Sequence, residues 1–142
     1  MKRLLYVSES NIEQAIAGKT ISDIVAGAQV RNAQLHLTGA LIFSNTYFAQ
    51  VLEGPKGAVS QMMISIKADT RHRNINVVDE SLINDRKFSD WKMAYHGPSQ
   101  FVSRHVSRLL QPASLSEQIR ASEWLTELAL EFSRQTTTKR KH

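Results

Sequence analysis

The chain has 142 residues, 42% of them hydrophobic, which is enough for one domain with a sizeable core. Its formal charge of +5 would suit an acidic partner such as nucleic acid, but much of the excess sits in Lys139-Arg140-Lys141-His142. There is no cysteine, which excludes disulfides, a thiolate nucleophile and cysteine-based metal sites. No apolar run approaches the roughly 18 residues of a membrane span. The opening Met1-Lys2-Arg3-Leu4-Leu5-Tyr6 also lacks the long apolar stretch of a secretion signal, so a cytoplasmic chain with no membrane partner is expected.

Arg3 to Val7 is short, apolar and followed by Ser8-Glu9-Ser10-Asn11, which predicts a first strand buried on both faces. Thr20-x-x-Asp23 reads as a capping box, and Ile21, Ile24, Val25 and Ala28 behind it predict a helix to about Asn32. Leu37 to Phe43 and Tyr47 to Leu52, separated by Ser44-Asn45-Thr46, predict a hairpin. Pro55 then presets a helical turn, and Ala58, Val59, Met62, Met63 and Ile66 predict a second helix to about Asp69. Asn76 to Val78 and Trp91 to Tyr95 supply two further strands.

The order strand, helix, hairpin, helix, strand, strand predicts an α+β ferredoxin-like sandwich. It has one mixed five-stranded sheet with both helices on one face and a ligand cleft between them. Beyond Gly97-Pro98, Val102, Val106, Leu109 and Leu110 share a helical face that Pro112 ends. A last helix opens at Ser114-x-x-Glu117 with the stripe Trp124, Leu125, Leu128 and Phe132, which must cap the sheet's open face or form an interface with another copy.

Strand parity places Tyr6, Gln50 and Trp91 where they can share the helix-covered face, with Met93 beside Trp91. A glutamine inside Tyr47-Phe48-Ala49-Gln50-Val51-Leu52 needs a polar partner, because an unsatisfied buried amide costs about 1–3 kcal/mol. Taken singly, each residue has an ordinary reading. Gln50 can bond Tyr6 or a backbone group, Asn32 can be a helix C-cap, and Trp91 and Met93 can be core.

The ordered set of motifs is more specific than any of its members. Arg3-Leu4-Leu5-Tyr6-Val7-Ser8, Arg31-Asn32-Ala33 with Leu37-Thr38-Gly39-Ala40-Leu41, and Phe48-Ala49-Gln50-Val51-Leu52-Glu53-Gly54-Pro55 resemble the BLUF family of flavin-binding blue-light receptors, short single-domain type. Asp69-x-Arg71-His72 and Phe88-x-x-Trp91-x-Met93 extend the resemblance to about residue 96.

The resemblance implies a photoreceptor, not an enzyme, that holds FAD non-covalently, with FMN and riboflavin as alternatives. By the same resemblance Tyr6 would donate an electron and proton, Gln50 would lie between it and the ring, and Asn32 would bond the ring's polar edge. Ile24 and Ile66 would sandwich the ring, and Trp91 and Met93 would report its state. Arg31, Asp69, Arg71 and His72 would contact the ring edge, ribityl chain or phosphate, or else form a charged surface around a helix end.

Residues 1–97 are expected to form the flavin-binding unit, 98–134 a helical extension, and 135–142 a disordered basic tail. Output is expected through the last helices to a homo-oligomer or a downstream protein. The histidines show no metal spacing, and no P-loop or G-x-S-x-G elbow is present. Nucleic acid is not the expected partner, because the aromatic RNP signature is missing; an RNA-binding ferredoxin-like module is the alternative.

Overall fold

The computed structural model describes residues 1–89, 93–96, 106–107 and 114–140. Strand β1 is Lys2–Ser10, helix α1 is Ala17–Leu35, strands β2 and β3 are Thr38–Phe43 and Tyr47–Gly54, and helix α2 is Lys56–Ala68. Strand β4 is His72–Leu82, β5 is Ala94–His96, and helix α3 is Leu115–Arg140.

Four strands, in the order β4-β1-β3-β2, run antiparallel to their neighbours. The expected mixed five-stranded sheet is approached only through β5, whose three residues lie parallel to β2 at the edge. Val102, Leu109, Leu110, Pro112 and Trp91 lie outside the described residues.

Both faces of the sheet are covered. Leu4, Tyr6, Leu41, Phe48 and Leu52 point toward Ile21 and Ala28 of α1 and Val59, Met62 and Met63 of α2. The alternate residues Leu5, Val7, Ala40, Ile42, Ala49 and Val51 meet Phe88, Val106 and, from α3, Leu125, Ala129 and Leu130. The last helix therefore caps the sheet's second face. Its buried Ser122, Thr126 and Ser133 hydroxyls donate to the carbonyls of Ile119, Ser122 and Ala129 at 2.8–2.9 Å, so none needs a partner from the sheet.

Three boundaries differ from the expected ones. Helix α1 begins at Ala17, after a single 3-10 turn at Gln14–Ile16, and has no side-chain N-cap, so Thr20 lies inside it. The buried stripe begins with Ala17, and two glycines, Gly18 and Gly27, are tolerated within the helix. Its other end is a Schellman-type turn. His36 takes the left-handed conformation at φ 58°, and the Leu37 N–H reaches the Asn32 carbonyl at 2.8 Å, so the backbone of Asn32 serves the cap.

Strand β4 runs for 11 residues, well beyond Asn76–Val78, because it pairs on one side only and carries polar residues on its outer positions. Helix α3 opens on Ser114, whose Oγ accepts the Glu117 N–H at 3.3 Å, and continues to Arg140. The helix assigned to Leu115–Arg140 thus runs into the stretch expected to be a basic tail, where no proline or glycine interrupts it.

Gly39 fixes how closely β2 and β3 approach, because a Cβ there would lie 1.9 Å from the Val51 carbonyl oxygen. That contact is backbone and cannot rotate away. Gly39→Ala should therefore cost about 1–3 kcal/mol or more in chemical denaturation. An unchanged denaturation midpoint would show that the two strands can part freely.

Candidate functional site

A cleft of about 550 Å³, counting its open mouth, lies between α1 and α2 above the middle of the sheet. Its floor is Tyr6 of β1, Leu41 of β2, and Phe48 and Gln50 of β3. The antiparallel register sets this floor, since Gln50 stands directly opposite Tyr6 on one side and Leu41 on the other. One wall is Ile24, Ala28, Arg31 and Asn32 from α1, the other is Met62 and Ile66 from α2, and the rim is Asp69, Arg71 and His72. Nine of the residues singled out in the sequence thus line one cleft.

The floor carries a chain of three side chains. The Tyr6 hydroxyl donates to Gln50 Oε1, and Gln50 Nε2 donates to Met93 Sδ at 3.7 Å. Tyr6, Gln50 and Met93 are all buried, and the Met93 carbonyl accepts a bond from Gln29 Nε2 of α1 at 3.2 Å. Both ends of the Gln50 amide are engaged by side chains from different elements. Burial, and secondarily the negative charge of Asp69, push the Tyr6 hydroxyl well above the usual phenol range. Tyr6 is therefore a neutral donor across the physiological range.

At the rim, Asp69 and Arg71 grip each other. Arg71 Nη2 meets Asp69 Oδ2 at 2.6 Å and Nε meets Oδ1 at 2.9 Å, while the Arg71 backbone N–H also reaches Oδ1 at 3.0 Å. The Arg71 bonds hold the Asp69 carboxyl below the usual range, and the same bonds raise the guanidinium.

His72 is held at both nitrogens, Nε2 against the Ile66 carbonyl at 2.6 Å and Nδ1 against Ser8 Oγ at 2.8 Å. A carbonyl can only accept, so Nε2 carries a proton. Both ring nitrogens of His72 are thus engaged, one by β1 and one by α2. It presents its ring to Tyr6 and Phe48 in edge-type contacts with centroids 6.0 and 5.9 Å away. Arg31 is exposed on α1, lying over Gly27, where a Cβ would sit 3.1 Å from its Nη1.

Some residues of the site were not singled out. Leu41, Phe48, Ala28 and Met62 line the cleft, and strand parity or the helix stripes could have marked them. Ser8 and Gln29 act through long-range bonds for which the sequence carries no local signal.

Comparison with known proteins identifies the class. A family model described as sensors of blue light using FAD matches residues 1–94. The chain belongs to the BLUF family, whose domains bind FAD. It is 34% identical over 91 residues to the photoactivated adenylate cyclase subunit beta of Euglena longa, an alignment covering 63% of this chain and 10% of that protein. It is 38% identical over 72 residues to the blue light- and temperature-regulated antirepressor BluF of Escherichia coli (strain K12), covering 51% of this chain and 17% of that protein. The chain thus spans about a tenth of the cyclase subunit's length. Among solved structures, the BLUF protein BlrB in its dark state superposes with a TM-score of 0.69 at 26% identity, over 96% of each chain. The BlsA ground state gives 0.66 at 26%, over 76% of this chain and 72% of that one.

The cleft residues fit a flavin. Aliphatic side chains project from both helices, amide groups of Gln50 and Asn32 stand at the inner end, and charged groups stand at the mouth.

The raised Tyr6 group has a stability consequence. Its folded form resists ionisation, so its contribution is complete below the unfolded phenol value of about 10 and is lost as pH rises toward the higher folded value. Wild-type stability should fall with pH above about 10, and Tyr6→Phe should fall less steeply. Equal slopes in denaturation series at rising pH would contradict the assignment.

Proposed function

We propose that this chain senses blue light by switching the hydrogen bonds of Gln50, with Tyr6 as the electron and proton donor. The observation that carries this reading is the Tyr6–Gln50–Met93 chain in the floor of the cleft. A bound flavin supplies light absorption and, once excited, a strong oxidant next to the phenol.

Everything else falls to the protein. Tyr6 already donates to Gln50 Oε1, so a proton released with the electron has its acceptor in place. Gln50 has one donor end and one acceptor end, so rotation or tautomerisation exchanges what it offers to Tyr6, Met93 and a ring edge without moving the strand. Asn32, buried in α1, holds a ring's polar edge, and Ile24 and Ile66 exclude water above and below it. Arg31, Asp69 and Arg71 take the outer ribityl and phosphate groups; Trp91 and Met93 respond to the switch.

The reading makes 1–97 the sensor and the remainder the output, acting on a homo-oligomer or a separate protein in the cytoplasm, with no catalytic activity assigned to the chain itself. Because α3 buries Leu125, Ala129 and Leu130 against its own sheet, an oligomer would have to use other surfaces, such as exposed Leu115 and Ile119. Met93 directly precedes β5, whose three residues pair in parallel with Ala40, Leu41 and Ile42 of β2.

Tyr6→Phe and Gln50→Ala should each bind flavin and each lose the reversible red-shift under blue light. A normal photocycle in Gln50→Ala would refute the mechanism. Asn32→Ala should keep the photocycle but weaken flavin binding about 5- to 150-fold in a titration, the equivalent of about 1–3 kcal/mol for a lost buried bond. Unchanged affinity would remove Asn32 from the site.

A further inference from the structure

Glu53 is a fully buried carboxylate that the mechanism above does not use. It lies on β3 three residues beyond Gln50, on the opposite face of the sheet, where three donors converge on it. Oε2 accepts from Arg3 Nε at 2.7 Å and from the Lys87 backbone N–H at 3.0 Å, and Oε1 accepts from the Phe88 N–H at 2.6 Å. Arg86 adds bonds to the Thr38 hydroxyl at 3.0 Å, the Glu53 carbonyl at 3.3 Å and the His36 carbonyl at 2.7 Å. The short strap Arg86-Lys87-Phe88 is thereby fastened to β2 and β3.

The strap has two ends of interest. Phe88 is fully buried in the core that includes Leu125, Ala129 and Leu130 of α3, and Lys87 Nζ pairs with Glu127 of α3 at 2.6 Å. The ion pair is exposed and contributes little, so the aromatic contact is the firmer tie. Five residues after Phe88 comes Met93, which lies in the core on the other face and accepts the Gln50 amide. Five peptide links reach at most about 18 Å, so a strap fixed at Phe88 keeps Met93 on a short tether.

We propose that Glu53 is the positioning residue that couples the Gln50–Met93 contact to helix α3, by holding the strap whose Phe88 packs in the α3 core only five residues before Met93. The coupling rests on the photoreceptor reading; the anchoring does not. A glutamine at this position has one acceptor oxygen and turns an NH₂ toward donors, so it cannot reproduce the three bonds.

Hydrogen exchange on the full chain with FAD bound, in the dark and under blue light, tests both parts. In the dark, Glu53→Gln should speed exchange at the Lys87 and Phe88 amides by about tenfold or more, as expected for lost bonds to a charged acceptor. In wild type, illumination should change α3 exchange by about fivefold or more, and in Glu53→Gln that ratio should fall toward one while the flavin red-shift persists. Phe88→Leu keeps the backbone bond to Glu53 but loosens contact with α3, so its ratio should fall as well. It decides the matter if Glu53→Gln fails to fold.

A wild-type ratio in either variant, unaltered dark protection at Lys87 and Phe88, or a red-shifting wild type whose α3 ignores light would overturn the proposal. A wild type that never red-shifts overturns the photoreceptor reading, and with it the light-driven coupling, while the dark arm still decides whether Glu53 is the anchor.

Discussion

The arrangement depends on one asymmetric group kept dry. The Gln50 amide has an oxygen that can only accept and a nitrogen that can only donate, and each is matched to a buried partner, the Tyr6 hydroxyl and the Met93 sulfur. In water such a group would exchange partners without consequence. Enclosed between two helices and a sheet, its orientation becomes a property of the whole fold, because an unmet buried donor or acceptor costs about 1–3 kcal/mol. The antiparallel register sets Tyr6 and Leu41 on either side of Gln50.

The same strand links two chemistries. On one face Gln50 meets the cleft; on the other Glu53 gathers Arg3 and the backbone of Lys87 and Phe88. Helices α1 and α2 make the cleft, and α3 closes the opposite face over an apolar core. His72, clamped between Ser8 and the Ile66 carbonyl, ties β1 to the last turn of α2 and so fixes a wall of the cleft relative to its floor. A small change at one amide is thus surrounded by elements that are each fastened at several points.

The centre of the site was legible because it follows local rules. Tyr6 and Gln50 are polar interruptions in apolar strands whose parity puts them on one face, and Ile24 and Ile66 belong to helix stripes with a period near 3.6. What was illegible depends on long-range pairing. Nothing near Glu53 announces that residues 86–88 will meet it, and nothing near Ser8 announces His72. Strand β4 was underestimated because Arg73 and Asn74, which look like loop residues, are polar through their bonds to Glu9 across an edge. The capping alternative for Asn32 placed the helix end too early, since the left-handed cap residue is His36, four positions on.

The most direct test of the central claim is a light-minus-dark infrared difference spectrum of the flavin-bound chain with an isotope label in the Gln50 side chain alone. The account predicts a side-chain amide band that moves with the label and appears together with the flavin red-shift. A full red-shift with no labelled amide band in the difference spectrum would contradict it.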